Sequence, residues 1–138
     1  MSRSLNRLVI VDDNRIDLMM GRRSFDRAVP GVSIAECHGS EDAVDQILHP
    51  ETELVLLDIN MPGFDGFDVL NQARTKSKTM YPPVIMLTSS ADPRDVDRAF
   101  SVGASAYVVK PRSTEEYNAL ATGIAQVWAF AAKRADSR

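Results

Sequence analysis

Five short runs of aliphatic and β-branched residues alternate with longer segments of helical pattern, and this alternation limits the fold more than any other feature of the chain. The runs occupy residues 7–11, 32–37, 54–57, 84–87 and 106–109. The run at 54–57 has no polar residue, which is typical of a parallel strand covered on both faces. Strands that alternate with helices predict an α/β fold, with helices on both faces of a parallel sheet.

The intervening segments predict five helices, at residues 15–28, 40–48, 66–75, 93–102 and 113–133. Four of them begin at a residue suited to capping a helix, namely Ser40, Asp65, Asp92 and Ser113. Pro93 suits a first helical position, and Gly103 suits the left-handed residue that ends a helix. Ser113 and Glu116 have the spacing of a capping box. We therefore expect one domain over residues 1–138, with its core at about 7–132 and short flexible ends.

Polar side chains follow four of the five predicted strands. The first strand ends in Asp12 and Asp13, the third in Asp58, the fourth in Thr88 and the fifth in Lys110. Ligands of open α/β sheets bind beyond the carboxyl ends of the strands. We therefore expect these five side chains to converge at one edge of the sheet.

Three converging carboxylates raise one another's pKa unless a cation compensates their charge. Mg²⁺ suits such a site, because it takes oxygen ligands and typically uses one or two carboxylates together with a phosphate. In the alternative interpretation, Asp12 and Asp13 only cap the following helix. That interpretation accounts for one of the pair and leaves Asp58 and Lys110 unexplained. The pattern thus predicts a magnesium site.

The same residues suit phosphoryl transfer, which depends on positioning and charge neutralisation. Asp58 is a candidate carboxylate nucleophile that would form an aspartyl phosphate. The Lys110 ammonium would neutralise one phosphoryl oxygen, and the Thr88 hydroxyl would donate a hydrogen bond to another. The residues together predict a phosphoacceptor site at Asp58.

Five sequence motifs resemble those of the receiver domains of bacterial response regulators, from Arg7 to about Ala132. They are VIVDD at 9–13, LLDINMPGFDG at 56–66, MLTS at 86–89, GA at 103–104 and YVVKP at 107–111. The resemblance implies a flavodoxin-like (βα)5 fold with the strand order 2-1-3-4-5. A finer resemblance is to single-domain regulators paired with phytochrome-type or similar sensor kinases. It is carried by the DINMP run at 58–62, the serine pair at 89–90 and Trp128.

The resemblance also implies roles for residues. Asp58 matches the phosphoacceptor, and Asp13 and Asp58 match direct Mg²⁺ ligands. The backbone carbonyl of Asn60 matches a third ligand, and Asp12 matches a residue that acts through water. Thr88 and Lys110 match the pair that binds the phosphoryl group.

Tyr107 matches the switch aromatic, which turns inward when the Thr88 hydroxyl moves toward the phosphate. The bond between Lys110 and Pro111 is expected to be cis. Phe64 stands where methionine is commoner in the family, and Ser89 where alanine is frequent. Small Ser90 would leave water access to the phosphoryl group.

The implied function is that of a single-domain response regulator, which accepts phosphate from a sensor histidine kinase or a phosphotransfer protein. Its output would be a conformational change and contact with a downstream protein. It would catalyse only its own Mg²⁺-dependent phosphorylation and dephosphorylation. The net charge of -3 argues against nucleic acid as a partner, and no run reaches the length of a membrane span. We expect a cytoplasmic protein, with Cys37 as a buried hydrophobe.

Two helices suggest partner surfaces. In the last helix, a core stripe is expected from Tyr117, Leu120, Ile124, Val127 and Ala131. Trp128 borders this stripe and fits edge packing. Phe130 lies off it, as either an isolated exposed aromatic or a homodimer contact strengthened by phosphorylation. On the first helix, Leu18 is predicted to contact the kinase, since sensor kinases dock near this helix in the resembled family.

Three other functions would require different residues at these positions. A haloacid-dehalogenase-like phosphatase would carry an aspartate at the position of Asn60 and its nucleophile after the first strand. A flavodoxin-like cofactor binder would have a phosphate-binding loop where Asp12 and Asp13 stand, and no Gly-rich phosphate motif is present. A pseudo-receiver, a binding module that is not phosphorylated, would typically lack part of the acidic set or the lysine. It is the principal alternative.

Overall fold

The computed structural model describes residues 4–39, 41–77 and 81–131 and contains ten alternating strands and helices. The strands are β1 (Arg7–Val11), β2 (Ser33–Cys37), β3 (Leu54–Leu57), β4 (Val84–Thr88) and β5 (Ala106–Val109). The helices are α1 (Arg15–Ala28), α2 (Ala43–Ile47), α3 (Gly66–Lys76), α4 (Pro93–Ser101) and α5 (Thr114–Phe130). All strand pairs are parallel, in the order β2-β1-β3-β4-β5. The predicted fold class and strand order are confirmed.

The sheet has a hydrophobic layer on each face, because neighbouring strand residues point to opposite sides. Val55 and Leu57 face a cluster built with α2, α3 and α4, which we call the α2–α4 layer. Leu54 and Leu56 face a second cluster built with α1 and α5, the α1–α5 layer. Every side chain of β3 is thus buried, as its sequence predicts.

Most predicted helix ends agree with the structure to within two residues. The Asp65 carboxylate accepts a hydrogen bond from the Asp68 N–H at 3.0 Å. The Asp68 carboxylate accepts one from the Asp65 N–H at 3.1 Å, which completes a capping box. Asp92 caps α4 ahead of Pro93, and Gly103 has a φ of 106° just after this helix. These helix ends could be predicted because each depends on residues directly beside the helix.

Two predictions about helix caps need correction. The second helix begins at Ala43, and the Asp42 side chain before it makes no capping hydrogen bond. The predicted cap Ser40 lies outside the described residues, as does the predicted end of α5 at residue 133. At α5, Ser113 caps the Glu116 N–H, but Glu116 accepts from the Arg112 N–H.

Two predictions about surface and core are wrong. Leu18 was expected at a partner surface, but its side chain is 1% exposed and packs in the α1–α5 layer. Val127 was expected in the core and is 68% exposed. With 17 residues, α5 is about 25 Å long, whereas a strand of four or five residues spans roughly 13–17 Å. The helix is therefore longer than the strands it covers, and Val127 near its end lines an open groove with Leu54 and Ile85.

Candidate functional site

The turn after β1 presents Asp12 and Asp13 at the carboxyl edge of the sheet. The Asp12 side chain is buried and accepts a hydrogen bond from the Asn14 N–H at 2.9 Å, while Asp13 is exposed. The residue that caps α1 is Asn14, whose side chain accepts hydrogen bonds from the N–H groups of Ile16 and Asp17. Neither aspartate is needed as the helix cap, so both carboxylates are left for another role.

Asp58 follows β3, and the residue is 4% exposed. Its N–H donates to the Val11 carbonyl at 2.9 Å, which fixes this residue beside the end of β1. A Cβ atom at Gly66 would lie 2.3 Å from the Asp58 carbonyl oxygen. Glycine is therefore required where α3 begins against the Asp58 backbone.

The three carboxylates form a single cluster, in which oxygen atoms of Asp12, Asp13 and Asp58 lie within 4.8 Å of one another. Burial and the charge of Asp12 raise the pKa of Asp58 to about 6, against an ordinary value of 3.8. Burial also raises the pKa of Asp12, although the hydrogen bond from Lys110 opposes this shift. Adding a divalent cation would relieve the repulsion, so these residues fit a hard metal that takes oxygen ligands.

Lys110 at the end of β5 contacts three carboxylates. Its Nζ lies 2.7 Å from Asp12 Oδ2, 3.1 Å from Asp17 Oδ2 and 3.7 Å from Asp58 Oδ2. Burial lowers the pKa of Lys110, but the hydrogen bond and charge of Asp12, together with Asp58 and Asp17, raise it overall. The ammonium therefore stays charged beside the acidic cluster.

The Lys110–Pro111 bond is not cis, because all peptide bonds among the described residues are trans. That prediction is wrong. The trans form of a prolyl bond is favoured by about 0.5–1 kcal/mol unless tertiary contacts impose the other. Here the Lys110 N–H donates to the Thr88 carbonyl at 2.7 Å, and the side chain reaches the carboxylates with the bond trans.

Thr88 ends β4 as a fully buried residue. Its Oγ1 accepts hydrogen bonds from Asn60 Nδ2 at 3.3 Å and from the Ser90 N–H at 3.4 Å. The sequence predicts a role only for the backbone carbonyl of Asn60 and none for its side-chain amide. This amide joins the loop after β3 to the loop after β4.

Tyr107 in β5 is half-buried, and its hydroxyl donates to the Ser90 carbonyl at 2.7 Å. The Ser90 hydroxyl in turn donates to Asp95 Oδ2 at 2.6 Å, which joins this loop to α4. The predicted switch aromatic therefore contacts the loop that follows Thr88. Ser89 and Phe64 are exposed near these loops.

Asp17 is the one carboxylate at the site that the sequence interpretation missed. It lies in the first turn of α1, where an acidic residue is explained by the helix dipole alone. The sequence offered one signal for Asp17, namely that it stands only four residues after Asp13 and so near the predicted acidic edge. Its long-range contacts with Lys110 and Tyr117, more than 90 residues away in the chain, distinguish it from an ordinary helix-start residue.

The sequence model of the response regulator receiver domain matches residues 8–122, which include every member of the cluster and Lys110. The chain belongs to this family. The resemblance drawn from its motifs is thereby confirmed, and the match covers all of the sheet except Arg7, together with the first half of α5.

Solved structures of response regulators share the fold. One functions in red light signaling of R. palustris, with 26% identity, a TM-score of 0.80, and coverage of 94% of this chain and 97% of that one. The phosphorylated cyanobacterial phytochrome response regulator RcpA has 20% identity, a TM-score of 0.80, and coverage of 94% and 98%. The Mn²⁺-bound response regulator Rcp1 has 20% identity, a TM-score of 0.78, and coverage of 95% and 99%.

None of the helices among the described residues combines the length and the apolar character needed to cross a bilayer.

Proposed function

We propose that this receiver domain accepts a phosphoryl group on Asp58 from the phosphohistidine of a sensor kinase or phosphotransfer protein. The observation that carries the proposal is the juxtaposition of a buried carboxylate, two further carboxylates and one ammonium at a single sheet edge. We place the whole chain, residues 1–138, in a single receiver domain and its activity in the cytoplasm.

In the transfer step, an Asp58 carboxylate oxygen attacks phosphorus and forms a new O–P bond. The P–N bond of the donor histidine breaks, and the imidazole nitrogen leaves with the electron pair and later takes a proton. Lys110 neutralises one phosphoryl oxygen, and the Thr88 hydroxyl donates to another. The protein thus supplies mainly position and charge, as this chemistry requires.

Asp13, Asp58 and the backbone carbonyl of Asn60 would hold Mg²⁺, with Asp12 acting through water. The ion, when bound, offsets the negative charge that accumulates on the phosphoryl oxygens. One neighbour of the same fold was solved with Mn²⁺. The pseudo-receiver alternative is less favoured, because the three carboxylates of the cluster and the Lys110 ammonium beside them are all present.

Intact mass after treatment with acetyl phosphate and Mg²⁺ tests the proposal. We expect wild type to gain the mass of one phosphoryl group, and the Asp58→Asn variant and metal-free wild type to gain none. An adduct in Asp58→Asn would move the acceptor elsewhere. No adduct in wild type, together with no binding of beryllofluoride, would favour the pseudo-receiver.

The kinase is expected to dock on the start of α1, beside the acidic cluster. The exposed apolar residues there are Ile16, which is 63% exposed, and Met19, which is 43% exposed. They replace the buried Leu18 as the proposed contact. Phosphate uptake from the kinase should slow in an Ile16→Asp variant while uptake from acetyl phosphate stays unchanged. Equal slowing with both donors would argue for damage to the site itself.

The exposed end of α5 is the proposed homodimer surface. Phe130 is 92% exposed, and a groove of about 480 Å³ is lined by Leu54, Ile85, Ala119, Leu120, Gly123, Ile124, Val127 and Trp128. Residues 117–131 carry no charge, so two copies of this face would meet without repulsion. Sedimentation of wild type with beryllofluoride should show a dimer that Phe130→Asp abolishes. Identical masses in both proteins would remove Phe130 from the interface.

A further inference from the structure

Asp17 differs from the other two carboxylates that contact Lys110, because it lies outside the metal-binding cluster. It is on α1, and its two oxygens have different partners. Oδ2 lies 3.1 Å from Lys110 Nζ, and Oδ1 accepts a hydrogen bond from the Tyr117 hydroxyl at 2.9 Å. One carboxylate thus joins the end of β5 to the last helix.

Tyr117 holds the other end of this connection in a fixed place. Its side chain is 2% exposed within the α1–α5 layer. Burial and the Asp17 carboxylate raise the pKa of its phenol, so the hydroxyl remains a hydrogen-bond donor. A shift of the Asp17 carboxylate therefore has to be followed by Tyr117, or it breaks the hydrogen bond.

We propose that Lys110, Asp17 and Tyr117 form a polar relay that couples occupancy of the phosphoryl site to the position of α5. This inference rests on the proposed function at Asp58. A phosphoryl group would bring a charge of roughly -1.5 to -2 next to the Lys110 ammonium. Lys110 is then drawn toward that charge, and Asp17 loses part of its cation partner. Its carboxylate draws more strongly on the Tyr117 hydroxyl, and α5 shifts against α1.

A second hydrogen bond between the same two helices offers a matched control. The Ser24 hydroxyl donates to Asn118 Oδ1 at 2.8 Å, one residue along α5 from Tyr117. Ser24 lies two turns after Asp17 on α1 and is likewise buried. This bond ties α1 to α5 with no contact to Lys110 among the described residues. Ser24→Ala weakens the helix pair without interrupting the relay.

The chain carries its own reporter, since Trp128 is the single tryptophan and lies on α5. Its indole packs against the α1–α5 layer, half-buried. Tryptophan emission responds to a change of packing at the far end of the helix, about 16 Å from Tyr117 along the axis. Binding of the phosphoryl mimic is followed separately through the ¹⁹F resonance of beryllofluoride.

The experiment titrates beryllofluoride with Mg²⁺ into wild type, Tyr117→Phe, Asp17→Asn, the double variant and Ser24→Ala. All five proteins should show the bound ¹⁹F signal. Wild type and Ser24→Ala should change their Trp128 emission on binding. Tyr117→Phe should lose about half of that change or more, and the double variant should lose no more than the larger single loss, as expected for members of one pathway.

Three outcomes would overturn the relay. They are a silent Trp128 in wild type that binds the mimic, an unchanged response in Tyr117→Phe and Asp17→Asn, and an equal loss in Ser24→Ala. The last result would mean that packing of α1 on α5, and not the contact with Lys110, carries the response. Absence of the bound ¹⁹F signal in wild type would instead contradict the proposed function, and the relay with it.

Discussion

The α1–α5 layer reaches the acidic cluster through polar side chains, whereas the α2–α4 layer reaches it mainly through the backbone. On the first side, Asp17 contacts Lys110 and accepts from Tyr117. On the other side, the backbone of Gly66 packs against that of Asp58, and the Gly66 N–H donates to the Ile59 carbonyl at 3.0 Å. Side-chain contacts adjust by rotation, but a backbone contact of this kind permits almost no movement.

The difference suggests a division of labour at the site. The α2–α4 layer holds the loop of Asp58 in place, and under our proposal the α1–α5 layer would respond to a charge that arrives there. The loop after β4 is intermediate, because Ser90 joins Tyr107 through its carbonyl and α4 through its hydroxyl. Changes to each layer should therefore have different consequences.

The largest expected effect is in the α1–α5 layer, at Leu18. This residue was predicted to lie at the surface but is buried in the core. Leu18→Ala should lower the free energy of unfolding by about 2–5 kcal/mol, through lost burial and the cavity left behind. Urea denaturation measures this, with Met19→Ala, at an exposed position one residue away, as the control. Equal stability of the two variants would mean that α1 packs differently from the arrangement described above.

A test of the backbone contact is Gly66→Ala in the α2–α4 layer. The added methyl group would overlap the Asp58 carbonyl, so α3 must move, at a cost of about 1–3 kcal/mol. Beryllofluoride binding should weaken as well, because Asp58 moves with the loop. Gly123→Ala in α5 is the control, since its Cβ meets nothing within 4 Å and should stabilise the helix by roughly 0.5–1 kcal/mol. Unchanged binding by Gly66→Ala would break the comparison between the layers.

An effect no larger than that of Gly66→Ala, and present only above about pH 4, is expected from the charge of Asp58 between the layers. Because the pKa of Asp58 rises from 3.8 to about 6 on folding, the folded state holds more protons in that interval. The free energy of unfolding of the metal-free protein should therefore fall as pH rises from 4 to 6, and the loss should persist at pH 7. At pH 7, Asp58→Asn should be more stable than wild type by about 1–3 kcal/mol, and near pH 4 the two should agree.

Thermal or urea unfolding across this pH range, with exposed Asp97→Asn as the control, checks the prediction for Asp58. Mg²⁺ should narrow the gap at pH 7, since it binds wild type in preference to the variant. If the wild type gains more stability between pH 4 and 6 than Asp58→Asn does, folding lowers the pKa of the Asp58 carboxyl, and the prediction is wrong.

The sequence by itself determined the alternation of strands and helices and the convergence of polar residues at one edge. Both follow from local signals, which are the hydrophobic period, the caps at Asp65 and Asp92, and the parallel sheet that places all carboxyl ends together. The motifs then indicated the family, whose sequence model matches residues 8–122. These features depend on neighbouring residues or on the direction of the strands. They could therefore be predicted without knowing which distant residues are in contact.

Only the tertiary structure decided which side chains of the helices face inward and which meet across the chain. It buried Leu18, exposed Val127, and brought Asp17 to Lys110 and Tyr117, which stand about 90 and 100 residues later in the sequence. The physical reason is that helical periodicity gives a face but not what covers it. Coverage depends on how far a helix extends past the sheet, and ion pairs between distant residues depend on how the layers pack.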